Sequence, residues 1–356
     1  MRICVLPGDG IGIEVMASAR AALGALERRF GFRLSCEEHP GGAAYWRDTG
    51  REMPQGAWQA AHDADAILFG AMGLPDVRYP DGTEIAPHLK MRVDLELFAG
   101  VRPVRRLPRT PRVLADPRAD AIDLVIIREL TEGLFASRGK GEVIDDREAR
   151  DTLVITRATS EKLFDFAFDL ARRRKARGGP GRVTCVDKSN VFVSMAFFRR
   201  VFDERARLNP DIEARHHYVD AAGLDLVRQP WRFDVMVMEN MFADILSDVG
   251  GGIVGGMGLA PSAEIGLAHA LFQPAHGSAP DIAGKDLANP TAMLLSTAMM
   301  LDWLGHRHAR PALGEAAAAL QEAVDRAFAD GAAFPAEIGG PHGTSAVTRA
   351  VLDRIG

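Results

Sequence analysis

Glu239-Asn240-Met241-Phe242-Ala243-Asp244-Ile245-Leu246-Ser247-Asp248 sets two aspartates four residues apart in an otherwise apolar run. On a helix that spacing puts Asp244 and Asp248 on one face, one turn apart. Carboxylates that close repel each other unless a cation lies between them, and oxygen-only sites suit Mg²⁺ and Mn²⁺. A third acid, Asp220, follows the strand-like run His216-His217-Tyr218-Val219. An isolated pair at this spacing is commonly a wet helix edge. Here the flanks are Met, Phe, Ile, Leu and Val, so the reading is a metal site built from Asp220, Asp244 and Asp248.

Around this helix the chain alternates short β-rich runs with helical patterns. Strands are expected at 3–6, 33–37, 66–69, 101–104, 124–127 and 183–186. Helices are expected at 11–30, before Phe98, and at 159–174 and 191–202. Beyond Pro290 the pattern is nearly all helix, at 292–304, 315–329 and 345–355. Such alternation means an α/β protein with a largely parallel sheet. Six glycines between Gly250 and Gly258, interleaved with Ile253, Val254 and Met257, read as a hinge or a close-packed crossing. Arg172-Arg173-Arg174-Lys175 reads as a solvated helix end.

At 356 residues the chain is long enough for about two domains. A net charge of −5 argues against nucleic acid or a membrane surface as partner. No apolar run reaches the roughly 18–20 residues of a spanning helix. The opening Met1–Pro7 run reads as a buried strand and not as a signal peptide. Three scattered cysteines, Cys4, Cys36 and Cys185, make no disulfide frame and fit a reducing cytoplasm.

Arg92, Arg102 and Arg128 stand in apolar settings near strand or helix ends, as bidentate carboxylate binding needs. Lys188 follows the strand at 183–186, and a lysine partly buried among cations can serve as a base. Gly8-Asp9-Gly10-Ile11-Gly12 follows a strand and opens a helix, but its G-x-G-x-G spacing is not the dinucleotide fingerprint. His276-Gly277-Ser278-Ala279-Pro280-Asp281-Ile282-Ala283-Gly284 is a small-residue polar loop able to wrap a ligand.

Taken in order, these segments resemble the β-decarboxylating dehydrogenases, the family of isopropylmalate, isocitrate, homoisocitrate and tartrate/D-malate dehydrogenases. The resemblance runs nearly end to end. It includes the glycine opening, Arg102-Pro103, Arg128-Glu129-Leu130-Thr131-Glu132-Gly133, Asp187-Lys188-Ser189-Asn190-Val191, Tyr218-Val219-Asp220, the Asp244/Asp248 helix, the His276 loop and Ala288-Asn289-Pro290. It implies the two-domain isopropylmalate dehydrogenase-like fold, which is not a Rossmann fold. One domain would combine 1–98 with 251–356 and bind the cofactor. The other, 99–250, would carry dimerisation, substrate binding and a β-arm that clasps a partner.

The resemblance also implies roles. Arg92, Arg102 and Arg128 would hold substrate carboxylates, with His88 and Leu89 in the segment that selects the substrate. Lys188 and Asp220 would be catalytic, and Asp220, Asp244 and Asp248 would hold Mg²⁺ or Mn²⁺. Ile11, Asn190, His276, Gly277, Ser278, Ala279, Asp281, Ile282 and Asn289 would bind NAD. The active site would be shared in a homodimer, with Lys188 and Asp220 from one chain and the arginines, Asp244 and Asp248 from the other.

Two departures matter. Phe135 stands seven residues after Arg128, where the family usually places a tyrosine that protonates the enolate. A phenyl ring has no proton to give. The three tyrosines are Tyr45, Tyr79 and Tyr218, and only Tyr218, two residues from Asp220, would share its face if the strand persists. A bound water is the other replacement acid. Between Ile85 and Arg92 there is no serine or threonine, which disfavours isocitrate. Ile85 and Leu89 favour a 3-alkylmalate, with D-malate or tartrate as the alternative. A non-catalytic homologue is the alternative of another class. Enzymes of related fold that act on phosphorylated hydroxy-amino acids would want histidine metal ligands, where this chain has aspartates.

Asp281 stands where NAD-dependent members carry an acid for the ribose hydroxyls, so a 2′-phosphate would meet a negative charge. The expected outcome is a higher kcat/KM with NAD than with NADP, and a preference for NADP would contradict the assignment of Asp281.

Overall fold

The computed structural model describes residues 1–356. In chain order its main elements are β1 (Arg2–Gly8), α1 (Gly12–Phe30), β2 (Ser35–Glu38), α2 (Ala43–Thr49), α3 (Gln55–Asp63), β3 (Ala66–Ala71), α4 (Pro87–Asp94), β4 (Ala99–Arg105), β5 (Asp123–Glu129), β6 (Glu142–Ile144), β7 (Glu148–Arg150) and α5 (Arg157–Ala176). There follow β8 (Arg182–Asp187), α6 (Val193–Arg207), β9 (Glu213–Tyr218), α7 (Val219–Arg228), β10 (Val235–Met238), α8 (Asn240–Val254), β11 (Pro261–Ile265), β12 (Ala270–Pro274), α9 (Thr291–Arg307), α10 (Pro311–Ala329) and α11 (Thr344–Ile355). The protein is mixed α/β with eleven α-helices. None is long and apolar enough to cross a membrane. All three cysteines are free.

The chain divides into two compact units. The first comprises Met1–Glu96, Leu107–Pro111 and Gly255–Gly356. Its strands run in the order β2-β1-β3-β12-β11. β2, β1, β3 and β12 run parallel to one another, and β11 is antiparallel to β12. α9 contacts α1, α10, β3, β11 and β12 and is apolar on nearly all sides, as a helix enclosed by its neighbours must be.

A buried aspartate fixes this unit's opening loop. The Asp9 carboxylate accepts from the backbone N–H groups of Ala43 (2.7 Å), Ala44 (2.9 Å) and Gly73 (2.9 Å). It thereby satisfies orphan donors at the start of α2. The backbone N–H of Ile11 donates to the Ser278 carbonyl at 2.8 Å, which seats the glycine loop against the His276 segment.

The second unit comprises Leu97–Arg106 and Arg112–Val254. Its strand order is β4-β5-β10-β8-β9, parallel except for β4 against β5. Its core packs Val104, Leu124, Ile126, Met236 and Met238 against Leu226, Leu246 and Ile253. β6 and β7 form a separate, largely exposed antiparallel hairpin.

Several expectations change. The strand at His216 does not persist through Asp220: it ends at Tyr218, the N-cap of α7, and Asp220 lies in the first turn of that helix. Gly250, Gly251 and Gly252 lie within α8. A Cβ at Gly250 would come within 2.6 Å of Val104, so this part of the glycine run is a close-packed crossing. α8 ends at Gly255 and Gly256, whose φ values of 126° and 142° few other residues adopt. The basic run ending α5 is not simply solvated. Arg174 pairs with Asp123 and the fully buried Asp234, Arg172 with Asp211, and Arg173 with Asp169.

Candidate active site

Arg128 is the centre of the second unit's polar chemistry. It sits near the end of β5 and is only 3% exposed. A buried guanidinium is costly unless its donors are met. Its Nε donates to Asn240 Oδ1 at 2.8 Å, and its Nη1 donates to Asp244. The Phe135 ring lies 4.9 Å from the guanidinium carbon, within cation–π range. Asn240 is itself fully buried, and its amide donates to the Glu132 carbonyl at 3.0 Å. Nothing in the sequence marked Asn240 as the residue that holds Arg128, because the two are 112 positions apart.

Asp244 and Asp248 lie on one face of α8, as the spacing requires. Asp244 is half-buried and Asp248 exposed. Partial desolvation of its carboxyl raises the Asp248 pKa, Asp244 raises it further, and Arg102 and Arg128 oppose the rise. Arg102, on β4, is buried. Two arginines and two aspartates therefore share one neighbourhood, and the mutual repulsion of the acids is the condition a divalent cation relieves.

Asp220 is not with them. The only cluster of three or more potential metal ligands within 4.8 Å is Cys185, Asp187 and His216. There Asp187 is already held by both Nε (2.7 Å) and Nη2 (2.9 Å) of Arg199. Asp220 instead accepts from Lys188 Nζ at 2.7 Å, and this bond is the main reason its pKa is lowered. Lys188 follows β8 and is paired with a carboxylate, where the sequence reading had set it among cations. Tyr218 is stacked beneath Arg199 at 5.0 Å. Asn190 is exposed in the same unit.

In the first unit, Arg92 on α4 is buried and paired with Glu264. His88 and Leu89 are half-buried, and the His88 ring packs edge-on against Phe69 at 5.6 Å. Ile85 is 0% exposed and belongs to the core, so it does not line a ligand site.

The His276–Ile282 loop is braced from behind. Ser278 Oγ donates to the Gly73 carbonyl, and Ile282 N–H donates to the Ala279 carbonyl at 3.2 Å. Ala279 takes a left-handed φ of 34°. Desolvation lowers the His276 pKa, its Nδ1 lies 2.9 Å from the Gly277 carbonyl, and its buried Nε2 has no partner within the chain. Gly277 and Asp281 are exposed, Ile11 is buried, and the Asn289 amide donates to Glu337 at 2.9 Å. A buried ring nitrogen with no partner in the chain leaves this loop able to hydrogen-bond a ligand.

With the geometry in place, the comparisons are consistent. Residues 2–355 match the isocitrate/isopropylmalate dehydrogenase family model. A 3-isopropylmalate/3-methylmalate dehydrogenase from Methanocaldococcus jannaschii is 40% identical, covering 99% of this chain and 98% of that protein. A 3-isopropylmalate dehydrogenase from Bacillus thuringiensis is 41% identical, covering 99% and 96%. Among solved structures, an isocitrate dehydrogenase from Methylococcus capsulatus superposes with a TM-score of 0.87 at 33% identity, covering 99% of each chain. A β-decarboxylating dehydrogenase from Thermococcus kodakarensis superposes at 0.81 with 35% identity, covering 99% of this chain and 96% of its own.

The fold and these relatives define an oxidoreductase of the β-decarboxylating class, acting on a CH–OH group. The chain belongs to the isocitrate/isopropylmalate dehydrogenase family.

Glu129, next to Arg128, gives a pH signature. It is buried at the end of β5 and accepts from Thr131 N–H (2.6 Å), Thr131 Oγ1 (2.7 Å) and Glu132 N–H (2.8 Å). Burial outweighs these donors and pushes its pKa up from 4.5 to about 7. Between those values the folded chain keeps a proton that the unfolded chain has lost, so stability falls as pH rises through the window. The unfolding free energy of the wild type, measured against Glu129→Gln, should decline from pH 4.5 to about pH 7. A difference that is flat with pH would contradict it.

Proposed function

We propose that the chain catalyses the NAD- and Mg²⁺/Mn²⁺-dependent oxidative decarboxylation of a 2-hydroxy-dicarboxylic acid, most closely a 3-alkylmalate of the 3-isopropylmalate type. The observation that carries this reading is end-to-end similarity, at 40–41% identity, to relatives named for 3-isopropylmalate and 3-methylmalate. Half-buried Leu89 and the absence of a serine or threonine between Ile85 and Arg92 support an alkyl substituent over a third carboxylate.

The chain's own residues fit the group each would hold. Asp244 and Asp248, crowded on α8, offer two carboxylates to a divalent cation, and Asp220 of a second copy would complete the set. The half of the chain formed by 1–98 and 251–356 would bind NAD through the His276 loop, and 99–250 would dimerise with the β6–β7 hairpin as its arm. When bound, the metal would supply Lewis-acid polarisation of the substrate's oxygens, and NAD would accept the hydride.

The remaining work falls to side chains. Arg102 and Arg128 would orient the substrate carboxylates, Arg128 with its fork held fixed by Asn240 and Phe135. As its neutral amine Lys188 would take up the hydroxyl proton, and the Asp220 carboxylate, 2.7 Å from its Nζ, would hold the ammonium so formed. Phe135 gives no proton to the carbon freed by loss of CO₂, so that proton would come from water or from another group.

The test incubates the protein with NAD and Mn²⁺ against 3-isopropylmalate, D-malate, tartrate and isocitrate, recording NADH and CO₂ together. Matching NADH and CO₂, greatest with 3-isopropylmalate, is the expected result. NADH without CO₂ would mean that decarboxylation fails for want of the tyrosine. No NADH from any of the four would overturn the reading.

A further inference from the structure

Asn289, just before α9, carries an amide whose direction is fixed from both sides. Its Nδ2 donates to Glu337 Oε2 at 2.9 Å, and its Oδ1 accepts from the Thr291 N–H at 3.1 Å. A carboxylate can only accept, and a backbone N–H can only donate. Turning the amide over would set Oδ1 against the carboxylate and Nδ2 against the N–H, with both bonds lost. All three residues belong to the first unit.

Glu337 is anchored in turn. It lies in the short helical turn Ala336–Ile338 ahead of α11, and its Oε1 accepts from the Gly258 N–H at 2.9 Å. The approach leaves no room for a side chain at Gly258, where a Cβ would come within 2.8 Å of the Asn289 Cβ. Desolvation lowers the His276 pKa and the Glu337 carboxylate opposes the fall, which sets Glu337 near a second residue assigned to NAD.

With these bonds made, the Asn289 amide keeps one N–H and one lone pair. Adenine presents an amino donor at position 6 beside ring-nitrogen acceptors. Hypoxanthine presents an oxygen acceptor at position 6 beside the N1–H donor. The two bases therefore offer opposite polarity along that edge, and an amide that cannot turn over matches one of them only. We propose that Glu337 is a specificity-determining residue: by holding the Asn289 amide in one direction, it makes the chain take an adenine dinucleotide in preference to its hypoxanthine counterpart. This inference rests on the proposed function, which supplies NAD as the cofactor.

Glu337→Gln tests it with almost no change of shape. The new side chain keeps an oxygen for the Gly258 N–H and turns its NH₂ toward Asn289, which then meets a donor where it met an acceptor. Two quantities are measured in wild type and variant. One is kcat/KM for NAD and for nicotinamide hypoxanthine dinucleotide, with 3-isopropylmalate and Mn²⁺. The other is the Kd of AMP and of IMP by calorimetry, which needs no turnover.

Wild type should favour NAD and AMP over their hypoxanthine counterparts by roughly tenfold, about the weight of one mismatched hydrogen bond. In the variant both ratios should fall toward one. Equal losses on both bases, with the ratios unchanged, would make Glu337 merely structural and overturn the inference. Wild type that does not distinguish the bases would overturn it without any variant. Wild type that oxidises no hydroxy acid fails the functional reading itself, and the AMP and IMP affinities then judge this inference alone.

Discussion

A single buried guanidinium, that of Arg128, sets the terms for the second unit. At 3% exposure it cannot rely on water, so the fold must supply acceptors for its donors. Asn240 and Asp244 supply them from the first turns of α8, and Phe135 covers its face. These contacts fix the register of α8 against β5. They also place Asp244 and Asp248 where a cation and an anionic substrate could be met together. Glu129 and Asn240 extend the network through Thr131 and Glu132, and Glu132 in turn accepts from Thr156 at the start of α5.

Local pattern made much of this legible. The 3.6-residue spacing of acids and apolar residues marked α8 and its acidic face, and short apolar runs marked β1, β3, β5 and β8. Three features escaped. β10 runs into α8 with only Glu239 between them, so no turn residue separates strand from helix. β11 carries Ser262 and Glu264, both fully buried, and polar residues in a buried strand break the apolar signature. The switch at Tyr218 from β9 to α7 is made by a backbone turn without a glycine or proline to announce it.

The candidate site was proposed from the sequence as a set of residue types and not as a set of distances. The ordered motifs named Lys188, Asp220, Asp244 and Asp248, but the pairing of Lys188 with Asp220 depends on β8 and β9 lying side by side, with Asp187 opposite Tyr218. The bonds from Asn240 to Arg128 and from Glu264 to Arg92 link residues 112 and 172 positions apart. No periodicity reports contacts of that range. Phe135 was visible in the sequence as a missing proton donor, while its contact with Arg128 emerged only from the folded chain.

Within one chain, Lys188–Asp220 and Arg128–Asp244–Asp248 form two groups whose three aspartates do not converge. The central claim is that a second copy brings the two halves together. Lys188→Ala and Asp244→Ala chains, co-expressed with different tags and purified through both, test it directly. Each parent homodimer should be inactive, and the mixed dimer, with one intact site of two, should recover about half of the wild-type activity. A mixed dimer as inactive as its parents would contradict a shared site.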